Sequence, residues 1–453
     1  MEMQRLNAGM MARYEIADRR PVRVNAVQFG MSEALLGTVD RLIDDYNAAS
    51  EPDARIGFAA VEAGGTGFAG RLSEQDGMYT ILIRGYVREE PVKREQVVQC
   101  ILRAVDPDAD PNALRTLALD PGILTGFVDD APGARALAAR FLELRRGAGL
   151  PDPVLFRLGN ADSDPDAAQH PTLADSLAFR AEPDEAARQC AEMNYLDDML
   201  YIAEPCARLT LAAPEGFARR FPLSRAAGIC LSDAPGAALA ARLKAQLFDG
   251  GIFLMAAAGW LNGCDTLRDC MANERLRRFV GEGFVRELMP ALADADRPAV
   301  EACVVESFER FENPLNRNRI LRAAENLTDR FVRGPLRPLR ALAEEHFEPP
   351  RALSFALAAT IMLYAGARKD PGSGVWEVAR GRHTEAIHDD PDRLARFAAL
   401  SHDMDPESLA YAALADRELW QGRDLREIDG LMARVALDIA AIQRRPDFLP
   451  EPE

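Results

Sequence analysis

Lys244 and Asp249 lie five residues apart in an apolar segment with helical periodicity. A lysine withdrawn from water can act as a general acid or base, and an aspartate beside it favours the charged ammonium form. Residues five apart do not share a face of an α-helix as an i, i+4 pair does. We therefore expect the two side chains to meet only if the helix breaks at Gly250-Gly251 and Asp249 turns back. Without that break, Lys244 is interpreted as a surface lysine.

Arginine side chains recur in the second half of the chain at helical spacing. Arg330, Arg333 and Arg337 fall near one face of a predicted helix, before proline residues interrupt the register. Such a group could bind a carboxylate or a phosphate through paired N–H donors. Ion pairing with the 71 acidic residues of the chain is the alternative interpretation.

A predicted strand that ends in a glycine and leads into a helix is the arrangement with which α/β proteins bind a dinucleotide. Of the G-x-G-x-x-G fingerprint only the first glycine, Gly30, is in place. Ser32 stands at the second glycine position, and Glu33 puts a negative charge at the helix N-terminus. Glu62, at the end of the next predicted strand, could accept a hydrogen bond from a ribose hydroxyl. The alternatives are a plain strand–helix turn at Gly30 and a salt-bridged or exposed Glu62.

The elements that must position these residues change character along the chain. In the first half, apolar and β-branched strands alternate with amphipathic helices, which predicts a mostly parallel, doubly wound sheet. Ala63–Gly70 and Ala161–Asp175 are predicted loops. The predicted strands are Val22–Phe29, Arg55–Val61, Met78–Val87, Ile123–Val128, Pro153–Leu158 and Gly228–Leu231, and the predicted helices are Ser32–Tyr46, Gln96–Val105, Asp110–Leu119 and Ala134–Arg146.

From about residue 237 onward helical periodicity dominates and strand signals nearly vanish. The expected fold is therefore an α/β N-terminal Rossmann-like doubly wound sheet plus an all-α C-terminal domain. We place the first domain over residues 1–235 and the second over residues 236–453.

The composition limits the classes of function. The 453 residues include 54 Lys plus Arg against 71 Asp plus Glu, a net charge of −17, so neither nucleic acid nor a membrane is an expected partner. Seven scattered cysteines and five histidines without metal-ligand spacing predict free thiols and no metal site. The first twenty residues are polar and charged, without a secretory apolar segment. We expect a cytoplasmic protein, monomeric or homodimeric, that acts on a small molecule.

Five short motifs occur in order along the chain. They are Val27-Gln28-Phe29-Gly30, the run from Gln75 to Gly85, Gly263-Cys264-Asp265-Thr266, Phe311-Glu312-Asn313-Pro314, and the tail from Glu418 through Ile442. Together they resemble the polyol-specific long-chain dehydrogenase/reductase family, which includes mannitol dehydrogenase, and most of all its tagaturonate reductase branch. The resemblance covers nearly the whole chain.

The resemblance implies an NAD(P)-dependent oxidoreductase that interconverts a hexuronate or polyol and its keto form, with hydride transfer in a cleft between the two domains. It implies NAD or NADP as the cofactor, with Gly30, Ser32 and Glu62 as candidate cofactor-binding residues. Where the family has a Ser-Asn-Thr stretch, this chain has Val128-Asp129-Asp130.

The same resemblance assigns the catalytic and substrate positions. Lys244 matches the family's acid/base lysine, Asp249 takes the place of an asparagine, and Ile252 takes that of a histidine. Asn318 falls where the family commonly has a further histidine, and Arg330 where it has a second lysine. Candidate catalytic residues are thus Lys244 and Asp249, and candidate substrate-binding residues are Asn318, Arg330 and Arg333.

Three hypotheses follow from these residues. The first is a hexuronate or polyol oxidoreductase that uses Lys244. The second is a non-catalytic member of the family that keeps the scaffold to bind a ligand or a protein, because the glycine, asparagine and histidine positions have changed. The third is a non-redox enzyme, such as a lyase or isomerase, that uses Lys244 and Asp249 without a dinucleotide.

Overall fold

The computed structural model describes residues 3–87, 90–159, 169–313, 319–401 and 403–450. The chain forms two compact units, Met1–Ala241 and Arg242–Glu453, called unit 1 and unit 2 below. Asn318, one of the candidate substrate-binding residues, lies outside the described residues.

Unit 1 combines strands and helices in alternation. Its described strands are β1 Ala26–Phe29, β2 Phe58–Val61, β3 Tyr79–Val87, β4 Glu90–Val98, β5 Ile101–Val105, β6 Thr125–Val128, β7 Val154–Leu158, β8 Gln169–Asp175, β9 Ala178–Arg180, β10 Tyr201–Ala203, β11 Arg208–Ala212 and β12 Ile229–Ser232. Its described helices are α1 Asp40–Ala48, α2 Phe68–Glu74, α3 Ala113–Ala118, α4 Pro132–Gly147, α5 Pro183–Met193 and α6 Phe217–Arg220.

Eight strands of unit 1 form one sheet, in the order β12-β11-β8-β7-β6-β1-β2-β5. Every neighbouring pair in it is parallel except β8 with β11. Successive side chains of a strand point to opposite faces, so Val27 and Phe29 join an apolar cluster with α3 and α4, whereas Ala26 joins a cluster with α1. Because both faces are covered, the doubly wound Rossmann-like prediction is confirmed.

A second sheet of unit 1, β4-β3-β10-β9, was not predicted. The strand predicted over Met78–Val87 exists, but as β3 it belongs to this second sheet. The helix predicted over Gln96–Val105 is wrong, because β4 ends in this segment and β5 follows it. The apolar spacing of a helix is produced here by two short strands in different sheets. Gln99, which separates them, is fixed by its backbone N–H, which donates to Asp44 Oδ1 at 3.0 Å.

The loop predicted over Ala161–Asp175 is also partly wrong. Its first part lies outside the described residues, but Gln169–Asp175 forms β8. This segment is polar and lacks the apolar alternation of a strand. Its backbone pairs with β7 on one side and with β11 on the other, so hydrogen bonds from neighbouring strands impose the extended conformation.

Unit 2 is mainly helical. Its described helices, of which the first begins before the unit boundary, are α7 Ala234–Leu243, α8 Asp249–Leu261, α9 Leu267–Ala272, α10 Glu274–Gly283, α11 Arg297–Glu312, α12 Ile320–Ala323, α13 Leu327–Arg333, α14 Leu336–His346, α15 Arg351–Ala365, α16 Pro391–Ala399, α17 Pro406–Ala415 and α18 Leu431–Arg444. Two π-helical segments, Lys244–Phe248 and Phe284–Leu288, join or extend these helices.

Helices α8 and α15 form the centre of unit 2 and pack against each other. Both are buried on nearly every side, which is typical of central core helices. The C-terminal helical prediction is confirmed with one addition, a small antiparallel sheet of β13 Arg368–Lys369, β14 Trp376–Arg380 and β15 His383–Ala386. No helix in the described part of the chain is both long and apolar enough to cross a membrane.

Candidate functional site

The contact between Lys244 and Asp249 depends on a local change of helix type. Between α7 and α8 the backbone is π-helical over Lys244–Phe248, and the Asp249 N–H bonds to the Lys244 carbonyl. This i to i+5 pattern brings residues five apart above one another. Lys244 Nζ donates to Asp249 Oδ1 at 3.0 Å and to Oδ2 at 2.9 Å.

The contact therefore does not require a helix break at Gly250-Gly251, and both glycines lie inside α8. Their role is packing. A Cβ added at Gly251 would lie 2.7 Å from the Phe311 ring and 2.8 Å from the Phe284 ring. The glycine allows these rings to approach the helix closely, beside the end that carries Asp249.

Two arginines from other helices act on the Asp249 carboxylate. Arg330, on α13, donates from Nη1 to Asp249 Oδ1 at 2.8 Å, and its Nε donates to the Glu325 carbonyl at 2.9 Å. Arg310, on α11, lies with its guanidinium carbon 3.5 Å from the centre of the Phe248 ring. Burial acts to raise the pKa of Asp249, but the charges of Lys244, Arg330 and Arg310 outweigh it, so the pKa is lowered.

Lys244, Asp249 and Arg330, called the Asp249 cluster below, are the predicted residues that the structure brings together. Asp249 is 12% exposed, Lys244 21% and Arg330 22%. Lys244 and Arg330 carry two positive charges and Asp249 carries one negative charge, so one positive charge remains in excess. The cluster is thus partly open to water and positively charged.

Arg333 is not part of this cluster. It pairs with Asp329, at 3.5 Å, one turn earlier on the same helix. Asp329 is also bound by Arg393 and by the Gln421 side chain, the latter at 2.6 Å. Arg330 and Arg333 lie three positions apart on the same helix, as the spacing predicts, but they bind different carboxylates.

A buried hydrogen-bond network, absent from the sequence analysis, fixes the start of α13. The Thr328 hydroxyl donates to Asp389 Oδ1 at 2.8 Å, and the Tyr364 hydroxyl donates to Asp389 Oδ2 at 2.9 Å. Burial raises the pKa of Asp389 above its ordinary value, against these hydrogen bonds. The network holds in place the helix that carries Arg330.

Arg310 was also missed by sequence reasoning. It lies on α11, 66 positions after Lys244 in the chain, and only the helix packing brings it beside Phe248. Its place immediately before Phe311-Glu312-Asn313, a motif quoted above, was the one available signal.

In unit 1, Gly30 and Ser32 follow β1, the strand at which the strand order of the sheet reverses. The chain moves from β1 to β2 on one side and later to β6 on the other, so the crevice between β1 and β6 is the topological switch point. Gly30 ends β1 with φ +101°, a value that favours glycine. Ser32 precedes a π-helical segment, Leu35–Val39, that continues into α1, and the Leu35 N–H donates to the Ser32 Oγ at 3.4 Å. The Glu33 carboxylate accepts the Arg180 N–H at 3.1 Å.

Glu62 follows β2 and binds its own loop. Its carboxylate accepts hydrogen bonds from the Thr66 hydroxyl at 2.7 Å, the Gly67 N–H at 2.5 Å and the Ala69 N–H at 2.9 Å. Burial acts to raise the pKa of Glu62, but these donors lower it below its ordinary value. Glu62 is therefore an ionised carboxylate at the end of the second strand.

A dinucleotide needs a glycine turn, donors at a helix N-terminus and an acidic acceptor after the second strand. Gly30, Ser32 and Glu62 supply these groups, so the residues fit a dinucleotide in kind. One carboxyl group, that of Asp129, lies against the glycine turn. Among the described residues, no group of three His, Cys, Asp or Glu side chains is arranged to hold a metal ion.

Comparison with known proteins agrees with this architecture. Residues 241–443 match the mannitol dehydrogenase C-terminal domain. Altronate oxidoreductase of Bacillus subtilis (strain 168) is 24% identical, over 96% of this chain and 95% of its own, and that of Klebsiella pneumoniae (strain 342) is 25% identical, over 92% and 94%. The Pseudomonas fluorescens mannitol 2-dehydrogenase complex with NAD and D-mannitol superposes with a TM-score of 0.78 at 15% identity, covering 98% of both chains. D-sorbitol dehydrogenase superposes with a TM-score of 0.67 at 16% identity.

A Rossmann-like unit followed by a helical unit is the fold that this chain shares with the mannitol 2-dehydrogenase. Residues 241–443 match the mannitol dehydrogenase C-terminal domain, and nearly the whole chain is similar to altronate oxidoreductases. The family resemblance noted in the sequence is thereby confirmed.

Proposed function

We propose that this protein reduces the ketone of a hexuronate-type sugar acid with a nicotinamide dinucleotide, and oxidises the corresponding alcohol in reverse. The observation that carries the proposal is Lys244, a partly buried lysine held by Asp249 and opposite Arg330. The names of the altronate oxidoreductases that match most of the chain support the substrate class.

Lys244 is the proton donor in this proposal. The chain contains only three lysines, and the other two, Lys93 and Lys369, are exposed. An arginine cannot release its proton near neutral pH, whereas a lysine can. In ketone reduction, Nζ of Lys244 gives a proton to the carbonyl oxygen as that oxygen becomes a hydroxyl, and in alcohol oxidation it takes the proton back.

Arg330 positions the substrate. The Asp249 cluster has one positive charge in excess, and a substrate carboxylate would neutralise it. Asp249 holds the two cations at fixed positions, so that the substrate acid group and the reacting oxygen meet different donors. A neutral polyol lacks the carboxylate, which is why we favour a hexuronate over mannitol.

The cofactor would be held by Gly30, Ser32 and Glu62. A bound nicotinamide group would supply the hydride for reduction of the ketone. The ionised Glu62 would accept a hydrogen bond from a ribose hydroxyl and would repel a 2′-phosphate. We therefore propose NAD rather than NADP.

Turnover measurements test the proposal. With NADH, tagaturonate and fructuronate should be reduced, and D-mannitol with NAD should react more slowly. Lys244→Met should lower kcat/KM by at least 100-fold, the usual contribution of an acid or base group. Lys369→Met, which changes an exposed lysine, is the matched control and should leave the rate unchanged. Equal rates for the two variants would remove Lys244 from the mechanism.

Titration with the two cofactors tests the choice of NAD. NADH should bind more tightly than NADPH. Glu62→Gln removes the negative charge and should therefore lower the ratio of the NADPH Kd to the NADH Kd. A preference for NADPH in the unchanged protein would contradict the role given to Glu62.

A second candidate function is supported by Asp129. Its carboxyl group stands where a pyrophosphate would approach Gly30, which favours a non-catalytic member of the family that binds a ligand or a protein partner. If millimolar NADH and NADPH change neither the protein fluorescence nor the melting temperature, this alternative replaces the oxidoreductase proposal.

A further inference from the structure

The Asp129 carboxyl group lies in the crevice between β1 and β6, directly over the glycine turn. Asp129 follows β6, and its backbone N–H donates to the Phe29 carbonyl at 2.9 Å. A Cβ added at Gly30 would lie 2.6 Å from Asp129 Cβ and 2.8 Å from Oδ2. The side chain therefore fills the space that the missing Cβ of Gly30 leaves open.

The donors around this carboxyl group are the ones that an anionic ligand would use. The hydroxyl and the backbone N–H of Ser32 both act to lower the pKa of Asp129, as donors that face a carboxylate do. The backbone N–H of Asp130 donates to Asp129 Oδ1 at 2.9 Å. Phosphate groups bind such N–H groups at the start of a helix that follows a glycine turn.

The carboxyl group is held there at a cost. Burial raises the pKa of Asp129 above its ordinary value, although the Asp130 hydrogen bond and the polar groups of Ser32 act to lower it. A second strand end repeats the arrangement, because a Cβ added at Gly159, just after β7, would lie 2.5 Å from the Asp130 carboxyl carbon. Carboxyl groups thus cover two glycines at the carboxyl ends of the strands, which is where α/β proteins bind their ligands.

We propose that the Asp129 carboxyl group is an internal occupant of the pyrophosphate subsite, which a dinucleotide must displace before it binds. The inference rests on the proposed function, since it concerns the same cofactor site. It predicts that the protein binds dinucleotides weakly because Asp129 competes for the Ser32 donors, and that removing the carboxyl group strengthens binding.

Cofactor binding to Asp129 variants tests this inference without any measurement of activity. Asp129→Ala removes both the charge and the volume, and Asp129→Asn removes the charge alone. The Kd of NADH, measured by fluorescence, should fall roughly tenfold or more in Asp129→Ala, in line with the strength of an anion at a helix N-terminus. Asp129→Asn should give a smaller fall. ADP-ribose, which has the pyrophosphate but no nicotinamide, should follow the same order.

Asp152→Asn is the matched control. Asp152 is an exposed residue that precedes β7 and therefore lies at the amino ends of the strands, away from Asp129. It pairs with Arg146 at 2.7 Å. The substitution changes the net charge by the same amount, so a general electrostatic effect would strengthen binding equally. Melting temperatures establish that each variant folds, and Asp129→Asn carries the test if Asp129→Ala does not fold.

The outcomes separate the inference from the proposed function. Tighter binding in the Asp129 variants than in Asp152→Asn supports the inference. Measurable but equal binding by all the proteins overturns the inference and leaves the proposed function standing. No binding by the unchanged protein or by any variant overturns both.

Discussion

Replacing Asp249 by asparagine tests whether this carboxylate holds the Asp249 cluster together. It accepts hydrogen bonds from Lys244 Nζ at 2.9 and 3.0 Å and from Arg330 Nη1 at 2.8 Å. Asparagine has almost the same size, but it removes the negative charge and leaves the two cations facing each other. We expect Asp249→Asn to lower the free energy of unfolding of unit 2.

The size of the loss follows from the burial of the three side chains. Removing one partner of a fully buried ion pair costs roughly 3–5 kcal/mol. Lys244 and Arg330 are 21% and 22% exposed, so water can restore part of their solvation. We therefore expect a loss of about 2–3 kcal/mol.

Urea denaturation followed by tryptophan fluorescence measures this loss in the relevant part of the chain. All three tryptophans, Trp260, Trp376 and Trp420, lie in unit 2. The Lys244→Met/Asp249→Asn double variant completes a mutant cycle. The double variant should lose about 1 kcal/mol less free energy of unfolding than the sum of the losses of Lys244→Met and Asp249→Asn, since residues in direct contact are coupled.

Asp294→Asn is the control for an ion pair of similar geometry at the surface. Asp294 binds Arg242 through two hydrogen bonds, at 2.8 and 2.9 Å, but its side chain is 61% exposed. The urea denaturation midpoint of Asp294→Asn should equal that of the unchanged protein. A loss below about 0.5 kcal/mol for Asp249→Asn, the size of an ordinary surface substitution, would refute the reasoning, and so would strict additivity in the cycle.

Three further predictions concern the site and its support. Arg330→Met should raise KM for a hexuronate at least tenfold, whereas Arg333→Met should change it less than twofold, because only Arg330 reaches the Asp249 cluster. Steady-state kinetics of the two variants decide this, and equal effects would count against it. Gly334→Ala should lower the melting temperature, because its Cβ would lie 2.0 Å from a backbone oxygen of the π-helical segment, whereas Gly281→Ala has no atom within 4 Å of its Cβ and should be neutral or stabilising. Asp40→Asn should stabilise the protein above pH 7. Burial raises the pKa of Asp40 to about 7, so the folded state binds the extra proton and stability falls as pH rises towards that value. The difference in melting temperature between variant and unchanged protein should disappear near pH 4, and a difference independent of pH would contradict the assignment.

The spacing of apolar residues along the chain correctly predicted several strands and helices of the structure. The apolar strand that ends at Gly30 and the amphipathic helix after Ser32 are both present. The change to helical periodicity after residue 237 marks unit 2 closely. These features depend on the side-chain period of single elements and on their end residues, which neighbours in the chain largely determine.

Other features depend on partners far away in the chain and were missed or wrong. Gln96–Val105 has a spacing compatible with a helix, and β8 has no strand pattern, yet both segments are extended because other strands pair with them. The π-helical segment at Lys244–Phe248 changes the register by one residue, which no periodicity in the sequence indicates.

By itself, the sequence determined the fold class, the family resemblance and the side chains able to do chemistry, Lys244, Asp249 and Arg330 among them. Only the tertiary structure decided which of these meet. Asp249 binds Arg330, 81 positions away, and not Arg333, and Asp129 rather than a solvent-filled crevice lies over Gly30. The physical reason is that a contact between charged groups depends on distances of a few ångströms, which the packing of helices and strands sets, while the sequence specifies only the type of each group and its position along the chain.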